Sequence, residues 1–250
     1  MYNKLVNELA VCGLNAVKAA AQYHPQSINR LFMREELLPV FKDLCRELAA
    51  RKRPYKICDD EELLRICKYQ HHQGVVAMIK DYGVEPLTVS DLELWADEAK
   101  TGVILHSVGN DLNLGAIVRA AAFFGVHFVV ISELDTDARL STAAYRVAEG
   151  GMEHVVIRSV KKTDAFLRDA SKKLFIVGTD TRARLRISDL PDLMAGHPGA
   201  ALILGNEEAG LPDEVKQRCN VLLRIPGTGN MQSLNVAQAA ALFLHAIYEA

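Results

Sequence analysis

The chain has 250 residues, half of them apolar, with 29 basic against 31 acidic side chains and a net charge of −2. That length fits one large domain or two modest ones, and a chain of this size buries roughly 70% or more of its unfolded surface without needing disulfides or a structural metal. The apolar and charged fractions exclude disorder, collagen and low-complexity sequence, and near-neutrality means that any nucleic-acid binding must rest on local patches.

In chain order, a short apolar run at Ala10–Cys12 reads as a strand, and the Ala-rich stretch Leu14–Gln22 as a helix that Pro25 stops. Ile28–Met33 is strand-like, and Leu37, Phe41, Leu44 and Leu48 give Glu36–Ala50 a helical period. After the polar break 51–54, Tyr55–Cys58 reads as a strand, and Asp59-Asp60 open a short helix at its positive end. Val75–Ile79 closes a small α/β domain expected over 1–82. Residues 83–100 read as a linker and docking helix, started by a capping-box pattern at Ser90-Asp91-Leu92-Glu93 and carrying the single tryptophan, Trp95.

A larger α/β unit is expected over 101–250. Its strands are Val103–His106, His127–Ile131, His154–Ile157, Leu174–Val177, Ala201–Leu204 and Val221–Ile225, and a long helix runs from about Asn235 to Glu249. Nearly continuous apolar strands of this kind belong to a parallel sheet covered on both faces. No run approaches the roughly 20 apolar residues of a membrane span. Glu8 and Lys18 interrupt the N-terminal apolar stretch, so no export leader is expected. The five cysteines show no CxxC spacing, which suits reduced thiols in a cytoplasm, and His71-His72 lack a third ligand, so no metal is expected.

Three segments break the bland pattern at strand C-terminal ends, where open α/β sheets bind ligands. In Asn110–Arg119, Asn113 is placed to cap the following helix. Arg119 sits among apolar neighbours, from Ala116 to Phe124, and so needs a carboxylate, phosphate or carbonyl, or else snorkels to water. In Leu204–Pro212, a strand ends in Gly205 and is followed by Glu207 and Glu208. In Ile225–Val236, a loop with Gly227 and Gly229 leads to Ser233, a second candidate cap. Neither GxGxxG nor GxxxxGK[ST] is present, which speaks against dinucleotide and P-loop readings.

Taken together and in order, the segments resemble the three motifs of the SPOUT-class RNA methyltransferases of the TrmH/RlmB branch: NxGxxxR, GxExxG, and IP followed by SLNV. Here they stand as Asn113-Leu114-Gly115 with Arg119, Gly205-Asn206-Glu207 with Gly210, and Ile225-Pro226 with Ser233-Leu234-Asn235-Val236. The stretches Val11–Val17 and His72–Ala77 resemble the start and end of that branch's substrate-binding domain. The chain departs from the pattern at Asn110-Asp111, where relatives carry Asp-Pro, and at Gly227, where many carry Met.

The resemblance implies an α/β fold: a C-terminal SPOUT domain with a trefoil knot, preceded by a small α/β RNA-binding domain. It also implies a cytoplasmic homodimer that transfers a methyl group from S-adenosyl-L-methionine to a ribose 2′-OH in rRNA or tRNA, with guanosine in rRNA favoured. By the same resemblance, Gly178, Thr179, Gly205, Ile225 and Leu234 would hold the cofactor. Arg119 would grip the target phosphate and polarise the hydroxyl, with Glu207 as its carboxylate partner, while Asn113, Ser233 and Asn235 would position ribose and loop. Two alternatives stand beside this reading: a silent RNA-binding paralogue, and a nicotinamide oxidoreductase lacking the usual glycine fingerprint. Arg46, Arg51, Lys52, Arg53 and Lys56 around Tyr55, and the alternating Arg182, Arg184 and Arg186, are candidate phosphate contacts or solvated faces.

Overall fold

The computed structural model describes residues 2–3, 7–81, 83–132, 140–197 and 199–250; residue 82, where the sequence reading ends the first domain, lies outside them. Its elements up to residue 132 are β1 (Tyr2–Asn3), β2 (Glu8–Cys12), α1 (Leu14–Tyr23), β3 (Ile28–Met33), α2 (Lys42–Ala50), β4 (Tyr55–Ile57), α3 (Asp60–Cys67), β5 (Val75–Lys80), α4 (Val89–Asp97), β6 (Thr101–Leu105), α5 (Asp111–Phe123) and β7 (Phe128–Ser132). Then come α6 (Thr142–Ala148), β8 (Val156–Val160), α7 (Thr163–Ala170), β9 (Phe175–Thr179), β10 (Leu185–Arg186), α8 (Leu190–Met194), β11 (Ala200–Leu204), α9 (Asp213–Lys216), β12 (Val221–Arg224) and α10 (Val236–Tyr248). They form two compact units: Met1–Gly83 with Leu140–His154, and Val84–Arg139 with Val155–Ala250.

The first unit is a five-stranded sheet in the order β1-β2-β5-β3-β4, antiparallel except for the parallel β3–β4 pair. One face carries α1 and α2, whose Val17, Ala20, Leu44 and Leu48 join Leu9, Val11, Ile28 and Leu31 in a buried core. The other carries α3, packed through Leu63 and Cys67 against Cys12 and Val76. Instead of one helix over Glu36–Ala50, the chain forms a 3₁₀ turn at Glu35–Leu37 and then α2. Pro39 lies in the break, where its missing N–H and fixed φ favour a turn over a continuous helix.

Sequence order alone left Leu140–His154 inside the 101–250 unit, but this segment packs within the first. Tyr145 adds to the core under α1, Asn15 donates to Glu149 at 2.8 Å, and His24 bonds Glu153. Gly150, at φ +95°, lies so close to α1 that a Cβ would sit 2.9 Å from that of Ala19. Arg146 stacks 3.8 Å above the Tyr69 ring, a cation–π contact of about 0.5–2 kcal/mol.

The second unit is a seven-stranded sheet in the order β10-β12-β9-β11-β6-β7-β8, parallel at every pairing. Residues of β7 and β11 are buried throughout, as doubly covered strands should be. The two-residue strands β1 and β10 escaped the sequence reading because they are too short to show a period. The helix α4 docks through Trp95, which is fully buried, donates from Nε1 to the Ala200 carbonyl at 3.2 Å and stacks on Phe128. Gly102 makes room for the indole, since a Cβ there would lie 2.1 Å from Trp95 Cζ2. The capping box of α4 is Thr88 with Asp91, two residues ahead of the Ser90 pattern; Asp91 also receives Arg158 Nε at 3.1 Å.

Candidate active site

In a parallel sheet the segments after neighbouring strands emerge along one edge, and β12, β9, β11 and β6 are consecutive neighbours. The three sequence motifs therefore meet there. The loop after β11 is built by Asn206: its Oδ1 accepts the N–H groups of Glu208 (2.9 Å) and Ala209 (3.1 Å), while its Nδ2 donates to the Ser107 carbonyl at 2.9 Å. One side chain thus closes its own loop and ties it to the segment after β6. Sequence reading passed over Asn206, although Asn after a strand-ending Gly is a recognisable side-chain turn signal.

From that loop Glu207 Oε1 accepts a hydrogen bond from Asn113 Nδ2, and Asn113 Oδ1 accepts from Asn235 Nδ2 at 3.0 Å. Asn235 Oδ1 in turn accepts the Ala237 N–H at 2.9 Å, capping α10. The cap fixes which end of the Asn235 amide faces Asn113, and that fixes the Asn113 amide toward Glu207. One residue from each motif is therefore joined in a directional relay.

The sequence expectation of Asn113 and Ser233 as helix caps is corrected. Asn110 caps α5 by accepting Leu112 N–H at 2.8 Å, leaving Asn113 in the first turn free to face Glu207, and Asn235 rather than Ser233 caps α10. Ser233 is exposed on the loop. Asn235→Ala is expected to lower the melting temperature by several degrees, since a lost cap costs about 1 kcal/mol and each kcal/mol shifts a chain of this size by about 2–4 °C. Ser233→Ala is expected to leave melting unchanged, and circular dichroism of both variants measures the contrast.

The expected Arg119–Glu207 ion pair is absent. Arg119 is exposed on α5 and makes no hydrogen bond or ion pair among the described residues. It lies six residues beyond Asn113, about 120° round the helix and about 9 Å further along. Its apolar neighbours line the same exposed stripe: Leu112 is 48% and Phe123 81% exposed. The one buried side-chain oxygen without a hydrogen-bond partner among the described residues is Asp111 Oδ1, at the first position of α5, where the helix dipole favours its charge.

Gly178 and Gly205 are required by packing rather than only by a ligand. A Cβ on Gly178 would lie 2.6 Å from Cys219 Sγ and Leu222 Cδ2, and one on Gly205 2.4–2.6 Å from backbone atoms of Gly210 and Leu211. Burial pushes the Cys219 thiol up to about 12, so it acts as a packed apolar sulfur. Thr179 Oγ1 donates to the Ile203 carbonyl at 3.3 Å, Ile225 is half-buried, and Leu234 is 46% exposed. Among the described residues no group of three or more His, Cys, Asp or Glu side chains could hold a metal, and no helix is long and apolar enough to cross a membrane.

A parallel sheet with three polar motifs meeting at its strand ends, and a small α/β unit ahead of it, is the frame of a ligand-binding α/β enzyme, and comparison with known proteins gives the family. The family model for the SpoU rRNA methylase family matches residues 100–245, and that for RNA 2′-O ribose methyltransferase substrate binding matches residues 10–84. The chain belongs to the SpoU rRNA methylase family, whose members are S-adenosylmethionine-dependent RNA methyltransferases. It is 31% identical to the 23S rRNA (guanosine-2′-O-)-methyltransferase RlmB of Neisseria meningitidis serogroup B, over 96% of this chain and 94% of the relative. It is 32% identical to the uncharacterized tRNA/rRNA methyltransferase YfiF of Escherichia coli O157:H7, over 95% of this chain and 67% of that protein. Among solved structures, an AdoMet-bound rRNA methyltransferase from Sinorhizobium meliloti superposes with a TM-score of 0.78 at 22% identity, covering 97% of this chain and 87% of that one. The methyltransferase AviRb of Streptomyces viridochromogenes, with AdoMet, gives 0.76 at 22% identity, covering 97% and 90%.

Proposed function

We propose that the protein methylates a ribose 2′-hydroxyl in ribosomal RNA, at guanosine, as a cytoplasmic homodimer; transfer RNA is the second candidate substrate. The observation that carries this reading is the Glu207–Asn113–Asn235 relay, which joins one polar side chain from each motif at the strand edge. A silent paralogue would have no need to keep all three in register.

S-adenosylmethionine, when bound, supplies an electrophilic methyl group on a sulfonium. The loops suit it: a Cβ at Gly109, Gly210, Gly227 or Gly229 would meet nothing within 4 Å, so backbone there borders open space, and Leu234 and Met231 offer exposed apolar surface for adenine and thioether. Gly178, Thr179, Gly205, Ile225 and Leu234 would hold it, mainly through backbone groups. The departures at Asn110, Asp111 and Gly227 leave this frame intact, because Asn110 still caps α5 and Gly227 faces open space.

The protein's own task is then alignment, which supplies about 7–11 kcal/mol when reactants are well oriented. Asn113 and Asn235 hold the loop edge, and Ser233 and Glu207 line it. Arg119 grips the phosphate beside the target ribose and polarises the hydroxyl. Since Arg119 points away from the relay of its own chain, it serves the site of a second copy. The exposed Leu112 and Phe123 of α5 and Leu242 (45%) and Tyr248 (66%) of α10 support a dimer through these two packed helices. The insertion of β12 between β9 and β10 supports the trefoil knot. We also read 1–82, 83–100 and 101–250 as substrate domain, linker and methyltransferase domain, the last lending its segment 140–154 to the packing of the first unit. Incubation with labelled S-adenosylmethionine and RNA from cells lacking the gene tests the reading: labelled 2′-O-methylguanosine is expected, and label on a base would refute it.

A further inference from the structure

The basic residues singled out in the sequence have different fates in the structure. In the first unit Arg46 pairs with Asp43 at 3.1 Å, Lys56 with Glu62 at 2.6 Å, and Arg51 with Glu47 and the Pro25 and Gln26 carbonyls. Those three charges are answered locally, while Lys52 and Arg53 are exposed and form no ion pair among the described residues. The same is true of the whole cluster at the edge of the seven-stranded sheet. Arg182, Arg184 and Arg186 are exposed, and none forms an ion pair among the described residues.

A fourth arginine joins them through the sheet. The strands β10 and β12 pair in parallel with Leu185 opposite Leu223 and Arg186 opposite Arg224. Registered neighbours project from the same face about 4.8 Å apart, so the Arg186 and Arg224 side chains leave the sheet from adjacent positions on one face. Arg224 has no ion pair among the described residues either. The nearby carboxylates are already engaged: Asp180 is held by Lys216 at 2.7 Å and accepts the Arg182 backbone N–H at 2.9 Å, and Asp189 accepts the Arg186 backbone N–H at 2.8 Å. Burial opposes the charged form of Asp180, but Lys216 together with the Arg182 N–H and guanidinium holds its carboxyl below the usual range.

Four arginines cluster here with no ion pair among the described residues, and only Asp180, already held by Lys216, shares its charge with one of them, Arg182, so the patch is open to an outside anion. S-adenosylmethionine is not that anion, because its sulfonium leaves it without net negative charge. Yet the patch flanks both loops proposed to hold it: Arg182 follows Thr179 by three residues, and Arg224 directly precedes Ile225.

We infer that Arg182, Arg184, Arg186 and Arg224 form a phosphate-binding strip that grips the RNA backbone beside the cofactor loops, with the registered Arg186–Arg224 pair as its anchor. This deepens the reading of the protein as an RNA methyltransferase and rests on it. Arg186 and Arg224 are positioning residues: they hold the strand on either side of the reacting nucleotide and touch neither cofactor nor reacting hydroxyl.

The test uses the full-length Arg186→Gln/Arg224→Gln variant, with Arg184→Gln as a second, exposed site outside the strand pairing. RNA affinity is measured against salt with a fragment of 23S rRNA, S-adenosylmethionine affinity by calorimetry, and kcat and KM separately. Each lost phosphate contact removes about 0.7 from the slope of log K against log salt on single-stranded RNA, so the double variant is expected to lose about 1.4 and to bind RNA about tenfold more weakly. The KM for RNA rises by the same factor, while kcat at saturating RNA and cofactor affinity stay within twofold. Lysine at both positions restores most of the slope. An unchanged slope and RNA affinity would overturn the inference, as would cofactor affinity that falls in step with RNA affinity. A wild-type protein that labels no RNA would count against the methyltransferase reading, whereas the salt slope reports on the strip alone.

Discussion

Arg119→Ala is expected to lower methyl transfer about 10²–10³-fold, the scale seen when one preorganised donor to a reacting oxygen is removed, with S-adenosylmethionine affinity unchanged. The residue is exposed and unpaired among the described residues, so truncation costs the fold little. Because Arg119 faces away from the relay of its own chain, the activity lost in Arg119→Ala and in Asn113→Ala is expected to reappear when the two variants are mixed and refolded together. In the homodimer proposed above, a mixed pair would carry one site with both defects and one with neither, so random pairing would restore about one quarter of wild-type activity. Equal failure of the mixture would place Arg119 and Asn113 in the same chain's site.

Gly205→Ala is the second large effect, and it acts on structure first. The new Cβ would meet backbone atoms of Gly210 and Leu211 at 2.4–2.6 Å, and backbone cannot turn aside as a long side chain can. The loop 206–210 must lift, with overpacking of about 1–3 kcal/mol, or roughly 3–10 °C in melting temperature. Lifting pulls Asn206 off the Ser107 carbonyl and Glu207 off Asn113, so cofactor binding and activity are expected to fall together. Gly227→Ala is the control: its Cβ would enter open space, and neither melting nor folding should change. Calorimetric melting with and without S-adenosylmethionine separates the two variants.

These effects were unequally legible in the sequence. Buried parallel strands such as β7 and β11 announce themselves as apolar runs, and their bounds were read to within a residue or so. Cap residues were misplaced because the loops before α5 and α10 each hold more than one eligible side chain within three positions. Only the three-dimensional path decides that Asn110 and Asn235 cap, and that Asn113 is spent on Glu207. The Gly205 motif was visible, but the backbone pressing on it was not, since that contact follows from the loop closing around Asn206. Arg119 misled for a different reason. Apolar neighbours suggested burial, whereas Leu112 and Phe123 are themselves exposed along its stripe. An exposed apolar stripe reads, in one dimension, like a core. The Arg186–Arg224 pair lay beyond sequence reading altogether, because two residues 38 positions apart became neighbours only through the register of β10 on β12.

The central claim, methyl transfer to a ribose 2′-oxygen, is tested most directly by alkaline hydrolysis of RNA labelled by the protein from S-adenosylmethionine. A 2′-O-methyl group blocks attack of that oxygen on the adjoining phosphate, so the account predicts that the label survives in alkali-resistant dinucleotides and is lost with Arg119→Ala. Label recovered in mononucleotides would place the methyl on a base and contradict it.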